Sequence, residues 1–378
     1  MKIAILALEA VAGWGGSEEL WADTARAALQ AGHQVWLTPR HDPNADDKVI
    51  GELQASGGVI VPRASATGPD GSITAETVPS EFEAVAREAD VLFISVGGTF
   101  RDLLHPAVVH LVKHAGVPVA ATIQLTRETE LLGDQARGAA RQVFSSLGTL
   151  VVPAHRSISV LERALAARLE NAVVIPSPIR ADLPGALPWP QTELPTFACV
   201  ARLNPVQKGH DLLLEVLSDD RWKARDWHLN LVGRGLADYY LAELASFYGL
   251  SDRVTLTGFQ HDMRAVWEHN HLLVLPSREE SMPIAIMEAM YCARPCLVTD
   301  VGDNARMISD SVNGFIAEGD RPRALAAALE RAWQHRSQWP SIGQRAHETY
   351  TSQRDHAPGE TTLALLEALP RRQHELPR

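Results

Sequence analysis

Three cysteines in 378 residues, Cys199, Cys292 and Cys296, are too few and odd in number for a disulfide framework, so the chain reads as one made for a reducing compartment. Cys292 and Cys296 stand four apart with no Cys/His pair to complete a zinc site, and read as small buried thiols. No apolar run approaches the length of a membrane span. The opening Met1–Leu8 is apolar, yet Glu9 interrupts it, and a glycine-rich turn follows where a signal peptide would carry its cleavage site. These absences predict a cytoplasmic protein without a transmembrane segment. Basic residues are short as well: 35 Lys+Arg against 46 Asp+Glu give a net charge of -11. That balance excludes an electrostatically driven nucleic-acid binder; it disfavours strong docking on an anionic membrane and leaves peripheral contact open. Short-period repeats and low-complexity blocks are missing too.

What is present suits a globular protein, with 46% hydrophobic and 21% charged residues. At roughly 150 residues per domain the length suggests two domains. Lys2–Leu8 is a short apolar run that fits a buried parallel strand. It leads through Gly13-Trp14-Gly15-Gly16 to a helix for which Ser17 is the expected N-cap, with Glu18 and Glu19 in its first turn. Further strands are expected near 33–37, 59–61, 91–96, 117–122, 150–152 and 173–175. Helices are expected near 81–88, 103–114, 135–146 and 157–168, and 65–79 reads as a loop. Such alternation means a parallel sheet covered on both faces.

Six prolines between Pro176 and Pro195 mark an interdomain linker. The alternation then restarts, with strands near 197–200, 228–232, 254–256, 272–275 and 296–298, and turns helical after Asp320. The expected fold is α/β, two Rossmann-like doubly wound parallel-sheet domains over residues 1–178 and 179–350, followed by C-terminal helices.

Ligands bind beyond the carboxyl ends of strands in open parallel sheets, so charged residues at strand ends are the candidates. The richest stretch runs from Pro276 to Met290. An apolar strand ends at Leu275, a polar loop follows, and Pro283 is expected at the first helical position. Free N–H groups at that helix start suit a diphosphate. Glu280 and Glu288 would then accept hydrogen bonds from sugar hydroxyls beside it. Alternatively, Glu279 and Glu280 complement the helix dipole and Glu288 is a solvated helix residue. Upstream, Arg202 and Lys208 follow another strand, where they either neutralise a phosphate or are surface cations near a turn. Gly233-Arg234-Gly235 lacks the third glycine of a dinucleotide fingerprint, and the Gly13–Gly16 loop lacks that spacing too. Gly15 and Gly16 would still let backbone approach a ligand closely. His105, His110 and His114 share a helical spacing; no carboxylate or cysteine joins them, and they read as a solvated face rather than a metal site.

Together these residues resemble the retaining glycosyltransferases of the GT-B fold, specifically glycosyltransferase family 4. The resemblance covers most of the chain, from Lys2 to about residue 333. It rests on Gly15-Gly16-Ser17-Glu18, Gly32-His33-Gln34-Val35, Ile175-Pro176-Ser177-Pro178, Arg202 with Lys208-Gly209, Gly233-x-Gly235, Phe259, and above all Glu280 with Glu288-Ala289-Met290. The resemblance implies two domains facing across a cleft, a final helix near 355–370 that packs back on the first, a nucleotide-diphospho-sugar donor held mainly by the second, and a hydroxyl acceptor. By this similarity Arg202 and Lys208 clasp the diphosphate, aided by backbone N–H groups from Met282 to Ile284. Glu280 contacts the donor sugar, Glu288 binds the ribose, and Gly233, Gly15 and Gly16 line the donor. No metal or other cofactor is expected.

The chain departs from the family pattern in three places. Gln124 stands after the strand 119–123 where many relatives carry His; glutamine hydrogen-bonds a hydroxyl but is no base. Gly302-Asp303-Asn304-Ala305-Arg306 replaces a Gly-Gly followed by Glu, so Arg306 reverses a charge. Ser281 follows Glu280 where Gly is common, and keeps the same loop only at negative φ. A nucleotide-sugar 2-epimerase and a non-catalytic GT-B module that binds a nucleotide sugar are the alternative readings.

Overall fold

The computed structural model describes residues 1–8, 14–39, 48–61, 63, 65–67, 73–76, 78–179 and 182–370. Gly13, Arg180 and Ala181 of the segments discussed above, and the tail beyond Pro370, lie outside them. The chain divides into two compact units, Met1–Pro178 joined by the chain from Asp355 on, and Ile179–Arg354.

In the first unit the strands are β1 (Lys2–Leu8), β2 (Gln34–Thr38), β3 (Val59–Ile60), β4 (Ser65–Thr67), β5 (Ile73–Glu76), β6 (Val91–Val96), β7 (Val119–Ile123), β8 (Thr149–Val152) and β9 (Ala172–Val174). Seven of them form one parallel sheet in the order β3-β2-β1-β6-β7-β8-β9. Its helices are α1 (Gly16–Gln30), α2 (Lys48–Ala55), α3 (Ser80–Glu88), α4 (Pro106–His114), α5 (Asp134–Ser145) and α6 (His155–Leu165). Both faces of the sheet are buried, which explains the unbroken apolar runs. Along β1, Ala4, Leu6 and Leu8 enter one core cluster while Ile3, Ile5 and Ala7 enter the other. The stretch 65–79, expected as a loop, instead contains the antiparallel pair β4–β5. The two strands are only three and four residues long, too short for a strand period to stand out among the turn-forming residues of the stretch.

The second unit repeats the plan. Strands β10 (Thr196–Val200), β11 (His228–Val232), β12 (Val254–Gly258), β13 (Leu272–Leu275), β14 (Cys296–Thr299) and β15 (Gly314–Ala317) form a parallel sheet in the order β12-β11-β10-β13-β14-β15. Its helices are α7 (Pro205–Lys208), α8 (His210–Leu217), α9 (Asp220–Lys223), α10 (Asp238–Phe247), α11 (Met263–His269), α12 (Ile284–Tyr291), α13 (Asn304–Met307), α14 (Pro322–Gln334) and α15 (Trp339–Gln353). Phe197 of β10 sits between the rings of Trp222, Trp227 and Trp339, at the centre of the unit's single apolar cluster.

Helix α16 (Pro358–Ala368) returns to the first unit and lies on α1. Gly359 makes that approach possible: a Cβ there would stand 2.5 Å from the Asp23 carbonyl carbon, and its N–H donates to the Asp23 carboxylate at 2.9 Å. Leu363 and Leu366 join the core beside Trp21. Among the described residues no helix is long and apolar enough to cross a membrane.

Each sheet has the doubly wound order in which the chain reverses direction beside the first strand. In the first unit that switch lies between β1 and β6, in the second between β10 and β13. Loops at these points are where a ligand site belongs.

Candidate functional site

The switch of the second unit brings together the loop after β10 and the loop after β13. Beyond Val200 the chain forms the one-turn helix α7 and ends it at Gly209, which has φ 67 and accommodates no side chain. A Cβ at Gly209 would lie 2.1 Å from the Pro276 carbonyl oxygen, so the two loops touch backbone to backbone there. Hydrogen bonds extend that contact: the Arg278 and Glu279 N–H groups both donate to the Gln207 carbonyl, at 2.7 and 3.1 Å.

Lys208 and Glu280 meet across this junction. The Lys208 ammonium donates to Glu280 Oε1 at 2.7 Å, and the buried Ser277 hydroxyl donates to the same oxygen at 2.8 Å. Oε1 is thereby fixed, while Oε2 makes no such bond among the described residues and can accept one. The Lys208 ammonium likewise keeps donors to spare. Thr299 braces the assembly from β14, its hydroxyl donating to the Ser277 carbonyl at 2.5 Å. Arg202, on the first loop, is exposed, and its guanidinium makes no hydrogen bond or ion pair among the described residues, while its carbonyl accepts from the Asn204 N–H at 2.7 Å.

Helix α12 begins one residue later than expected. Pro283 is the N-cap, with φ -71 and ψ 123, and Ile284 is the first helical residue. Proline fits because a cap needs extended backbone, which its fixed φ allows. The Ile284 and Ala285 N–H groups at its start have no intrahelical acceptor and are open to an anion, whereas the Ile286 N–H donates to the Pro283 carbonyl at 3.1 Å. Glu288 sits one turn further on and is only 4% exposed, so it is not a solvated helix residue. Its buried carboxylate helps to push up both the Cys292 thiol, after burial itself, and the Tyr350 hydroxyl, after burial.

Gly233 and Gly235 have a packing explanation. A Cβ at Gly233 would meet the Ala201 carbonyl oxygen at 2.0 Å, and one at Gly235 the Leu203 oxygen at 2.2 Å. Both glycines let the loop after β11 lie flat on the loop that carries Arg202, with the Leu203 N–H donating to the Arg234 carbonyl at 2.9 Å. Gly302, at φ 57, similarly lies against the Glu280 and Ser281 carbonyls. Ser281 has no positive φ, so it keeps the loop without glycine. The charge-reversing Arg306 points into solvent, its side chain 63% exposed, with Nε 3.7 Å from the buried Asp303 carboxylate.

Several contributors had no signal in the sequence. Arg278 forms a two-pronged ion pair with Asp211, at 2.7 and 3.0 Å, and Arg278 Nη1 also donates to the Pro205 carbonyl at 2.6 Å. The hydrogen bond to Asp211 raises Arg278 above its ordinary range. Burial opposes ionisation of Asp211, yet the bonds from Arg278 outweigh it and hold the carboxyl low. His210, fully buried beside this pair, has no hydrogen-bond partner at either ring nitrogen, and burial lowers it to about 4. It is neutral in ordinary buffers.

The first unit presents a different picture. Gly15, not Ser17, is the N-cap of α1, and its N–H donates to the Glu18 carboxylate at 2.6 Å. Ser17 lies within the first turn and donates to the same carboxylate at 2.5 Å. The buried Glu18 thus occupies the position where a ligand anion would otherwise sit. Gln124 follows β7, and its amide is engaged at both ends: Nε2 donates to the Thr122 hydroxyl and Oε1 accepts from Ser177, each at 3.0 Å. Glu130, in the loop after β7, accepts from Thr99 at 3.0 Å and Arg101 at 2.7 Å of the segment between β6 and β7, and burial together with Glu130 raises Asp102 to about 6.

His105 is the N-cap of α4, outside the helix in which it was expected, while His110 and His114 stack 4.2 Å apart on the exposed face. No group of three or more His, Cys, Asp or Glu residues that could hold a metal occurs among the described residues. All three cysteines are buried free thiols, and burial raises each of them.

Residues 194–335 match the family model for group 1 glycosyl transferases. Among characterised relatives, an α-D-kanosaminyltransferase from Streptomyces kanamyceticus is 34% identical over 127 residues, 33% of this chain and 33% of that protein. A D-inositol 3-phosphate glycosyltransferase from Geodermatophilus obscurus is 32% identical over 160 residues, 39% of this chain and 35% of its own. These matches span about a third of the relatives' length. Solved structures match throughout: Anabaena HepE in complex with UDP has a TM-score of 0.75 at 18% identity, covering 98% of this chain and 100% of that one. Sucrose-phosphate synthase from Thermosynechococcus elongatus has a TM-score of 0.73 at 17% identity, covering 98% and 99%. At such identities the structural likeness speaks for the fold.

Proposed function

We propose that this chain, whose residues 194–335 match the group 1 glycosyl transferases and whose fold is that of GT-B proteins, is a retaining glycosyltransferase that moves a sugar from a nucleotide-diphospho-sugar to a hydroxyl acceptor. One observation carries this reading: at the switch of the second sheet, Lys208 and Glu280 form a fixed cation–carboxylate pair beside the open N-terminus of α12. A diphosphate needs cations and N–H donors, and a sugar next to it needs a carboxylate acceptor.

In the reaction the bond between the sugar's anomeric carbon and the diphosphate oxygen breaks, and one to the acceptor oxygen forms on the same face. The nucleoside diphosphate leaves with the bonding pair, and the acceptor's proton passes to its phosphate oxygen. Lys208 and Arg202 meet the charge that develops on the diphosphate, together with the first N–H groups of α12. Glu280 Oε2 takes a hydroxyl of the transferred sugar, and Glu288 takes the ribose. These protein cations do the work that a metal does elsewhere, so we infer that the reaction is metal-independent. HepE binds UDP and UDP-glucose, which makes uridine the first base to try.

A thermal-shift panel of UDP, GDP, ADP and TDP with their common sugars, with and without EDTA, tests the reading. One donor should raise the melting temperature regardless of EDTA, lose that effect in Glu288→Ala, and release its sugar with retained configuration in the presence of acceptor. No shift with any member would overturn the proposal. Gln124, with both ends of its amide engaged, favours one second reading, a binding module without transfer; it predicts donor binding with no turnover by any acceptor. A 2-epimerase would convert the donor with no acceptor present.

A further inference from the structure

Lys208 and Glu280 lie 72 residues apart in sequence, on two loops that belong to different strands. A lysine reaches its partner on a flexible four-carbon stem, so the place where its ammonium settles depends on how firmly its own turn is held. Gly209 brings the turn close, and the main-chain bonds to Gln207 hold one side of it.

Arg278 holds both sides. It stands two residues before Glu280, and its guanidinium reaches back to the Pro205 carbonyl at 2.6 Å, three residues before Lys208. The same guanidinium takes the Asp211 carboxylate with two prongs, three residues after Lys208. We infer that Arg278 is the positioning residue of the Lys208–Glu280 pair, strapping the lysine's turn to the glutamate's loop from both flanks through Pro205 and Asp211. The inference rests on the reading of that pair as the donor-binding centre, and it deepens that reading by naming what sets its geometry.

The chemistry of the strap requires arginine. A planar fork bonds a carboxylate with two parallel donors and still has a donor on the outer edge for a carbonyl; an ammonium satisfies these acceptors only as a point charge. Both partners are partly buried, with side chains 28% and 32% exposed, so solvent screens the pair less than a surface one. Asp211 also lies in the first turn of α8, where the helix favours a carboxylate and fixes it. The strap is therefore anchored to two helices rather than to free loop.

The chain has only five lysines, Lys2, Lys48, Lys113, Lys208 and Lys223, which makes a direct test practical. In protein labelled with ¹³C at lysine Cε, Lys208→Arg identifies the Lys208 signal by removing it, and Glu280→Gln gives the position of that signal when the pair is broken. Arg278→Ala should move the Lys208 signal most of the way to the Glu280→Gln position while Lys223, in the same unit, keeps its place. Arg278→Lys and Asp211→Asn should each move it part of the way, and they cover the case in which Arg278→Ala fails to fold. A merely structural Arg278 would lower the melting temperature and leave the Lys208 signal unmoved; that result overturns the inference. So does a Lys208 signal that Glu280→Gln itself fails to move, since the pair would not exist in solution. The readout needs no donor: a failed donor panel with a shifted Lys208 signal rejects the proposed function alone, and bound donor with an unmoved signal rejects the positioning role alone.

Discussion

Replacing Gly209 by alanine should damage both stability and turnover, by amounts that the geometry allows to be worked out. A Cβ at this position would stand 2.1 Å from the Pro276 oxygen, whereas ordinary contact begins at 3.4 Å. Relief needs the turn and the loop to separate by about 1.3 Å, the difference between these distances. The Lys208–Glu280 bond, now 2.7 Å, would open to about 4 Å and cease to be a hydrogen bond. Positive φ adds about 1 kcal/mol for alanine, and the overpacking adds about 1–3 kcal/mol. A loss of about 2–4 kcal/mol is therefore expected in urea unfolding.

Gly249→Ala separates the two terms. Its φ of 68 nearly equals the 67 of Gly209, but its only neighbour within 4 Å is the far end of the Lys223 side chain, at 3.9 Å. That variant should lose only about 1 kcal/mol and keep full turnover. In Gly209→Ala, a displacement of about 1 Å at a charged contact is expected to lower kcat on the order of 100-fold. The assay is nucleoside diphosphate release from the donor that the panel identifies, on variants shown to be folded. Equal stability and equal turnover in the two variants would refute the argument that Gly209 exists for the approach of the two loops.

Three further outcomes follow from the same structure. Glu288→Ala should mainly weaken donor binding, and Lys208→Ala should mainly lower kcat, because in the proposed reaction Lys208 meets charge that grows in the transition state; wild-type behaviour in both would remove these residues from the site. Arg294 is fully buried and donates to the carbonyls of Trp267 at 2.7 Å, Cys292 at 3.1 Å and Pro188 at 2.6 Å, so Arg294→Met should cost about 3 kcal/mol or more by stranding buried acceptors; a loss under about 1 kcal/mol in chemical denaturation would contradict this. His210 has its folded pKa lowered by burial to about 4, so the unfolded chain binds its proton first and stability should rise between about pH 4 and 6.5, whereas Asp102, raised to about 6, makes stability fall from about pH 3.8 to 6. Each contribution is about 3 kcal/mol; His210→Leu should abolish the rise and Asp102→Asn the fall in unfolding measured across that range, and an unchanged profile in either variant would reject the corresponding shift.

The strands of both sheets were legible because a parallel strand buried on two faces is an unbroken apolar run, as Lys2–Leu8 and Leu272–Leu275 show. Short elements were not: Gly314–Ala317 has four residues, too few to show a strand period, and α9, α11 and α13 are one or two turns each. Helix starts slipped by one residue at α12 and by two at α1, where the Glu18 carboxylate caps the Gly15 N–H three residues back and so moves the start ahead of Ser17. At the site, Arg202, Lys208, Glu280 and Glu288 were visible as charges at strand ends and on the helix that follows. Ser277, Arg278, Asp211 and Thr299 were not, since each acts on a residue distant in sequence or on a backbone carbonyl, and no spacing rule reaches that far. Gly233 was read for a ligand; the structure gives it a backbone to lie against.

The two units differ in how many polar groups they leave open, and this bears on which of them sets donor affinity. In the second, the Arg202 guanidinium and one oxygen of Glu280 make no hydrogen bond among the described residues, and the first N–H groups of α12 face no intrahelical acceptor. In the first, the polar groups at corresponding strand ends already bind one another: Gly15 with Glu18, Gln124 with Thr122 and Ser177, Glu130 with Thr99 and Arg101. A ligand entering there must replace bonds that exist, which returns little net free energy per hydrogen bond. Donor affinity should therefore belong to the second unit, and Gln124→Ala should leave the UDP-induced thermal shift unchanged while altering acceptor KM. A Gln124→Ala protein that loses its UDP shift, with its melting temperature otherwise intact, would place Gln124 on the donor and reverse that assignment.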